Sequence, residues 1–339
     1  MNPIWGGVAV EFLPQLNFFE FRRLVNANKI DGLLLNMPLG AVKGIIKKCK
    51  LYGIPRVCLI QENPFRPIYV LDTHKGFLNY AETNLIDSCN LNCEGCTHYA
   101  NLFEDENFYK LENFERDMQW FSATVDVLKF RLLGGEPFKL TNLIDYVKIT
   151  RKYFPQTDLR LVTNALLIPT ATQDLLDTIR ENNFIIDITH YPPTEKVMDK
   201  VNAILTENKI LFNYSGVVEN FLVFLTLNGN HDPKKSRAVC INDGCRFMRD
   251  GKIYKCPVDA LSYKLVEKFG LKGFPESTGV NIGAPNFVTL LEELDGNVEC
   301  CYWCNEKVRK IQWKTSTKPT LDEWLANPME TLNVCSFKD

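Results

Sequence analysis

Long apolar runs are missing from this chain. The longest, Gly32 to Leu35 and Phe221 to Leu227, fall far short of the roughly 20 residues needed to cross a bilayer, so no membrane partner is expected. The first residues lack a basic stretch followed by an apolar one, so no secretory signal is read and a cytoplasmic location is expected. An excess of one charge is missing too. Lys plus Arg number 39 against 41 Asp plus Glu, a net charge of −2, and no basic run exists to track a phosphate backbone, which argues against nucleic acid. Histidine is scarce, with 4 in 339 residues, and none stands at zinc-ligand spacing from the cysteines. No G-x-G-x-x-G turn follows the first strand-like run, so a dinucleotide site has no support. The 45% hydrophobic content nevertheless suits a folded chain of one large and one smaller domain.

Cysteine is abundant. Of the 12 cysteines, nine gather at 89–96, 240–256 and 300–304 instead of spreading through loops, a grouping that means metal in a reducing compartment. In the stretch Ser88 to Ala100, Cys89, Cys93 and Cys96 form a C-x3-C-x2-C set interleaved with Asn90, Asn92 and Glu94, which is loop chemistry and not an apolar face. Three thiolates so close together can hold three irons of a 4Fe–4S cluster and leave the fourth for a small molecule. A zinc knuckle or a redox pair is the competing reading of the same residues.

Read in order, the chain opens with an expected helix over Phe18 to Val25. A β-α-β unit follows: a strand from Asp31, a helix opened by Met37-Pro38 and reaching Lys50, and a strand over Arg56 to Ile60. Val42, Ile45, Ile46 and Cys49 share a helix face, so Cys49 and Cys58 are expected in the core. Glu62 to Lys75, with Pro64 and Pro67, reads as a linker. From Phe77 the chain alternates strand and helix, which argues for a parallel sheet with strands beginning near Glu82, Lys129, Asp158, Phe184, Ile210 and Glu219. Asn142 is an expected N-cap with Asp145 in the first turn, and Val197, Val201, Ile204 and Leu205 form one stripe. The second strand ends in Gly134-Gly135-Glu136-Pro137, where glycines admit close approach to a ligand and a carboxylate can accept an ammonium group.

The cysteine spacing together with Gly134-Gly135-Glu136-Pro137 resembles the radical S-adenosylmethionine (SAM) superfamily. The resemblance implies an α/β fold whose core is a partial (β/α)6 TIM-like barrel, with its chemistry at the strand C-terminal ends. It further implies that SAM completes the cluster of Cys89, Cys93 and Cys96, that the cluster cleaves it reductively to a 5′-deoxyadenosyl radical, and that Gly134, Gly135, Glu136 and Pro137 bind its amino group. Thr163, Asn164, Asp187, Thr189 and Ser215, at later strand ends, are implied contacts to its ribose and carboxylate, while a cap or turn is the plain reading of each. His190 and Tyr191 are expected at the same mouth. The family usually has an aromatic residue before its third cysteine, near the adenine; here it is Gly95, so His98 or Tyr99 is the expected substitute.

The C-terminal third carries Cys240, Cys245 and Cys256, then Cys300, Cys301 and Cys304, with a hairpin over Phe247 to Tyr254 turning at Asp250-Gly251. This resembles SPASM/Twitch extensions and implies one auxiliary 4Fe–4S cluster on Cys240, Cys256, Cys301 and Cys304, with Cys245 as substitute for Cys240; zinc is the alternative metal. Cys245, Cys300 and Cys335 are left as candidate hydrogen donors, and no chemistry is expected in the tail from Trp313, beyond a short helix over Thr320 to Asn327. The implied domains are 1–75, an α/β unit of unassigned role, 76–235, the radical SAM core, and 236–339, the auxiliary-cluster unit and tail. The implied activity is an oxidoreductase acting on a small polar molecule such as a sugar or aminocyclitol, fed by an electron donor such as flavodoxin or ferredoxin. Epimerisation with a cysteine hydrogen donor and modification of a ribosomal peptide are the alternatives within the class. A non-catalytic zinc scaffold is the alternative outside it.

Overall fold

The computed structural model describes residues 4–5, 8–9, 23, 32–35, 39–60, 63–104 and 107–328. Apart from Arg23, the helix expected over Phe18 to Val25 lies outside the described residues, as do the Met37-Pro38 helix start and Cys335.

Strand β1 (Gly32–Leu35), helix α1 (Leu39–Leu51) and strand β2 (Arg56–Ile60) form the expected β-α-β unit, with the two strands parallel. Val42, Ile46 and Cys49 are buried on one face of α1, and Cys58 is buried in β2, so both early cysteines are core residues. The expected linker holds a third strand instead. β3 (Ile68–Asp72) pairs antiparallel with β2, because Pro64 and Pro67 punctuate only its approach and Ile68, Tyr69 and Leu71 bury their side chains. β3 also docks the unit onto the main sheet: Asp72 N donates to Asp126 Oδ2 at 2.7 Å and Val70 N to Gln156 Oε1 at 3.1 Å.

The main sheet starts with five parallel strands in chain order, β4 (Gly76–Ile86), β5 (Val125–Gly134), β6 (Asp158–Thr163), β7 (Ile185–Ile188) and β8 (Phe212–Tyr214). Helices α2 (Leu111–Thr124), α3 (Leu143–Tyr153), α4 (Gln173–Glu181) and α5 (Met198–Glu207) connect them. Each connecting helix turns one apolar stripe inward. In α2 the stripe is Phe114, Met118 and Phe121, and Phe121 packs edge-on against Phe130 and Phe154, with centroids 6.3 and 6.0 Å away. In α5 Val201 and Leu205 are buried, with Val197 and Ile204 packed beside them as the spacing predicts. Asn142 does precede α3, but its side chain makes no capping bond.

The sixth expected core strand, β9 (Asn220–Leu225), does not join this sheet. It pairs antiparallel with β13 (Cys304–Gln312). The 215–219 connection is too short for a parallel crossover, which takes about a dozen residues or more. The sheet grows from its other edge. In the expected hairpin, β10 (Arg246–Arg249) and β11 (Lys252–Tyr254) meet at Asp250 and Gly251, whose φ of 47° and 74° suit a tight two-residue turn. β10 lies parallel against β4, and β12 (Val280–Asn281) closes the order β8-β7-β6-β5-β4-β10-β11-β12. In the tail, the helix expected over Thr320 to Asn327 is a single turn, Leu321–Glu323, capped by Thr320.

Candidate functional site

β4 ends at Ile86, and the chain runs directly into the cysteine loop. Asn92 and Gly95 take φ of 50° and 69°, winding the loop tightly enough for Cys89, Cys93 and Cys96 to border one cavity of about 280 Å³. The strand end beside it is built around this loop. Gly135 N donates to Ile86 O at 2.8 Å and Glu136 N to Ser88 O at 3.1 Å. A Cβ on Gly134 would stand 2.0 Å from Ile86 O, and one on Gly135 1.8 Å from Ser88 O. The glycines thus admit the backbone of the cysteine loop as well as lining the cavity, a use of small residues that the motif alone does not reveal.

Gly134, Gly135, Thr163, Asn164 and Thr189 line the cavity with the three thiols. Glu136 and Pro137 are buried behind it. The Glu136 carboxylate accepts Thr163 Oγ1 (2.7 Å), Asn164 N (2.9 Å) and Phe138 N (3.1 Å), and burial lifts its pKa to about 7. It therefore orders the next strand end. Asn164 in turn donates its side-chain amide to Asn90 Oδ1 (2.7 Å) and approaches Cys89 Sγ (3.7 Å).

Two expected residues lie away from the cavity wall. Asp187 is held by Arg160 (2.8 Å) and Arg131 (2.9 Å), and Ser215 accepts His190 N (3.0 Å). His190 is engaged with Glu195 at 2.8 Å and is absent from the wall, whereas Tyr191 is on it. Gly95 cannot carry the aromatic side chain usual in the family. At its positive φ a Cβ would meet Ile311 Cδ1 at 2.7 Å and Val223 Cγ1 at 2.9 Å, because the β9–β13 sheet packs there. His98 lines the cavity, but Tyr99 is buried in an apolar cluster against Trp324. Burial pushes the His98 imidazole down to about 4, so it is neutral at pH 7. Its Nδ1 meets Asn84 Oδ1 at 2.9 Å; since the Asn84 amide donates to Asp87, Nδ1 carries the proton and Nε2 is left as an acceptor.

The tail, in which no chemistry is expected, packs against the cysteine loop. Trp313 Nε1 donates to Cys93 Sγ at 3.2 Å and Trp324 Nε1 to Cys96 O at 2.8 Å. Glu94 N reaches Lys314 O (2.9 Å), Ser316 N reaches Asn92 O (2.8 Å), and Trp313 stacks on Tyr191 with centroids 5.8 Å apart. A buried bidentate ion pair, Asp87 with Arg249 (2.8 and 3.0 Å), ties the hairpin to the chain just before Cys89. Trp313 lies 220 residues from Cys93, and no local pattern marks either contact.

In the second cysteine set, Cys256, Cys300, Cys301 and Cys304 are buried and Cys240 is half-buried. Cys304 Sγ donates to Cys300 O at 3.7 Å and Asp259 N to Cys256 Sγ at 3.5 Å, and burial pushes the Cys240 and Cys301 thiols up. Cys245 lines a different cavity, so neither it nor Cys300 faces the one at Cys89. Among the described residues no group of three or more His, Cys, Asp or Glu side chains is set to hold a metal ion. A cubane places its ligands at separate corners and asks for a wider triangle than one ion does. The N–H donors at Cys89 and Cys93 suit thiolate sulfur, and the glycine cradle keeps the loop open on its cavity side.

No protein-family model matches the chain. A curated GTP 3′,8-cyclase of Sulfurovum sp. (strain NBC37-1) is 30% identical over 123 residues, covering 35% of this chain and 37% of that protein. One of Clostridium perfringens (strain SM101 / Type A) is 26% identical over 164 residues, covering 44% and 50%. The relatives support a radical SAM superfamily enzyme. The chain matches between 37% and 50% of these relatives' length. Solved structures similar to this chain include BtrN in complex with AdoMet and 2-DOIA, with a TM-score of 0.42 and 14% identity over 75% of this chain and 99% of that one. Another is anSMEcpe with bound AdoMet, with a TM-score of 0.35 and 17% identity over 58% and 50%.

Proposed function

We propose that Cys89, Cys93 and Cys96 hold a 4Fe–4S cluster, that SAM completes it in the 280 Å³ cavity, and that the chain is a radical SAM oxidoreductase. The observation that carries this reading is the convergence of all three loop thiols with Gly134, Gly135, Thr163 and Asn164 on one cavity. When bound, the cluster and SAM supply reductive cleavage and hydrogen abstraction from substrate. The chain's own residues bind and orient. Gly134 and Gly135 leave room beside the loop, Glu136 fixes the Asn164 backbone, and Asn164 braces Asn90 against Cys89. His98 and Tyr191 bring rings to the wall in place of the aromatic that Gly95 excludes, and the His98 Nε2 acceptor suits an amino group.

The substrate class remains a small polar molecule such as a sugar or aminocyclitol. A second 4Fe–4S cluster on Cys240, Cys256, Cys301 and Cys304 would take the electron that the substrate radical loses, with a proton, on becoming product. Among the described residues no further thiol lines the cavity beside the three loop cysteines. Of the candidate hydrogen donors, Cys245 and Cys300 do not line it. The relatives' cyclase activity extends over too little of their length to set this chain's substrate.

Anaerobically reconstituted protein should hold about eight irons in two clusters. Replacing Cys89, Cys93 and Cys96 together by Ala should remove half the iron and abolish SAM cleavage. Zinc at both sites with no iron uptake would reject the proposal in favour of the scaffold reading.

A further inference from the structure

A second and larger cavity, about 540 Å³, opens where the N-terminal unit, the main sheet and the C-terminal region meet. It lies apart from the cavity at Cys89, and no residue lines both. Its volume is ample for a small organic ligand.

The wall carries more positive than negative charge. Lys43, Arg131, Arg237 and Arg246 line it against two carboxylates, Asp243 and Asp295. Each carboxylate is already divided between two cations. Asp295 meets Lys43 at 2.5 Å and Arg246 at 2.6 Å, while Asp243 meets Arg237 and Lys255, both at 3.1 Å. Arg131 reaches Asp187 at 2.9 Å, and that carboxylate is also held by Arg160 at 2.8 Å. A further acid, Glu82, accepts the Tyr80 hydroxyl, and burial lifts its pKa to about 7, so it offsets the excess only in part.

The same wall has unused hydrogen-bonding atoms. Asn79 Oδ1, Arg131 Nε and Arg246 Nε are buried without a partner, and the Arg246 side chain is only 4% exposed. Buried polar atoms are nearly always paired, so unpaired ones grouped on one cavity point to a missing partner. Guanidinium groups with free N–H favour phosphate and carboxylate oxygens, and the Asn79 carbonyl oxygen accepts from a hydroxyl.

We propose that this cavity is a second ligand site, for a small hydroxylated anion whose phosphate or carboxylate is held by Arg131 and Arg246. The site is independent of the cluster chemistry at Cys89. Calorimetric titration of the full-length, cluster-loaded protein with inorganic phosphate, glycerol phosphate and citrate tests it. Saturable binding that SAM does not displace is expected. Tighter binding of the phosphates or of citrate identifies the anionic group. Arg131→Gln and Lys43→Ala should each weaken binding at least tenfold while cluster absorbance and melting temperature stay unchanged. These half-exposed positions are chosen because Arg246 is almost fully buried and also bonds Lys255 O. No saturable binding of any of the three anions would overturn the proposal. So would binding undiminished in the folded Arg131→Gln and Lys43→Ala variants, or displaced by SAM.

Discussion

The two cysteine sets are built in opposite ways. Cys89, Cys93 and Cys96 come from one short loop at the end of a parallel strand and border a cavity. Cys240, Cys256, Cys300, Cys301 and Cys304 come from segments up to 64 residues apart in the sequence, and Cys256, Cys300 and Cys304 sit in an apolar cluster with Tyr99, Phe247 and Leu325. An open set has a place for a ligand that reacts; a closed set is mostly enclosed by protein, with Cys240 alone half-buried. The difference parallels that between catalytic and structural metal sites, in which an open coordination position marks the reactive one.

The strongest way to break the comparison is to uncouple the two sets. Asp87 and Arg249 join them across the core, so Arg249→Ala leaves a buried carboxylate unpaired and should cost about 3–5 kcal/mol of unfolding free energy in urea titration. An effect on the loop alone, without global destabilisation, would mean that the sets fold independently.

Glu136 separates them next, since its buried carboxylate lies beside the open set alone. Its folded pKa, about 7, lies above the ordinary value of 4.5, so the folded state holds the proton more tightly than the unfolded chain. The stabilisation is full below pH 4.5 and is lost as pH rises to about 7, a change on the order of 3 kcal/mol. Urea titrations at pH 5 and pH 8 should show this slope in wild type and a flatter profile in Glu136→Gln.

Gly95→Ala should cost about 1–3 kcal/mol, because the β9–β13 sheet and a positive φ both oppose a methyl group there. SAM affinity measured alongside thermal melting tells whether the strain stays in the packing or reaches the cavity. The smallest effect is expected from Trp313→Phe, which removes one N–H···S bond to Cys93, worth about 1 kcal/mol. Fewer hydrogen bonds to sulfur make an iron–sulfur cluster harder to reduce. The potential of the Cys89 cluster, followed by electron paramagnetic resonance, should therefore fall while that of the second cluster holds.

Much of the open set was legible because its residues are neighbours in the chain. The C-x3-C-x2-C spacing, the glycine pair and the strand ends at Thr163, Asn164 and Thr189 all meet at the cavity. Asp187 and Ser215 looked equivalent in sequence but are spent on Arg160, Arg131 and His190. A strand end shows which residues come last, not which way each side chain faces. The β3 strand was hidden by the prolines before it, and β9 by the assumption that a strand following five parallel ones must continue the sheet.

The sequence by itself determined the local features: the β-α-β unit, the stripes of α1 and α5, the Asp250-Gly251 turn and the grouping of thiols in one loop. Each depends on residues a few positions apart, where backbone geometry and side-chain period act directly. Tertiary structure alone decided that Trp313 would meet Cys93, that Arg249 would meet Asp87, and that Gly95 had to be glycine. Those partners are brought together only when distant segments bury shared surface, and no spacing along the chain encodes the contact.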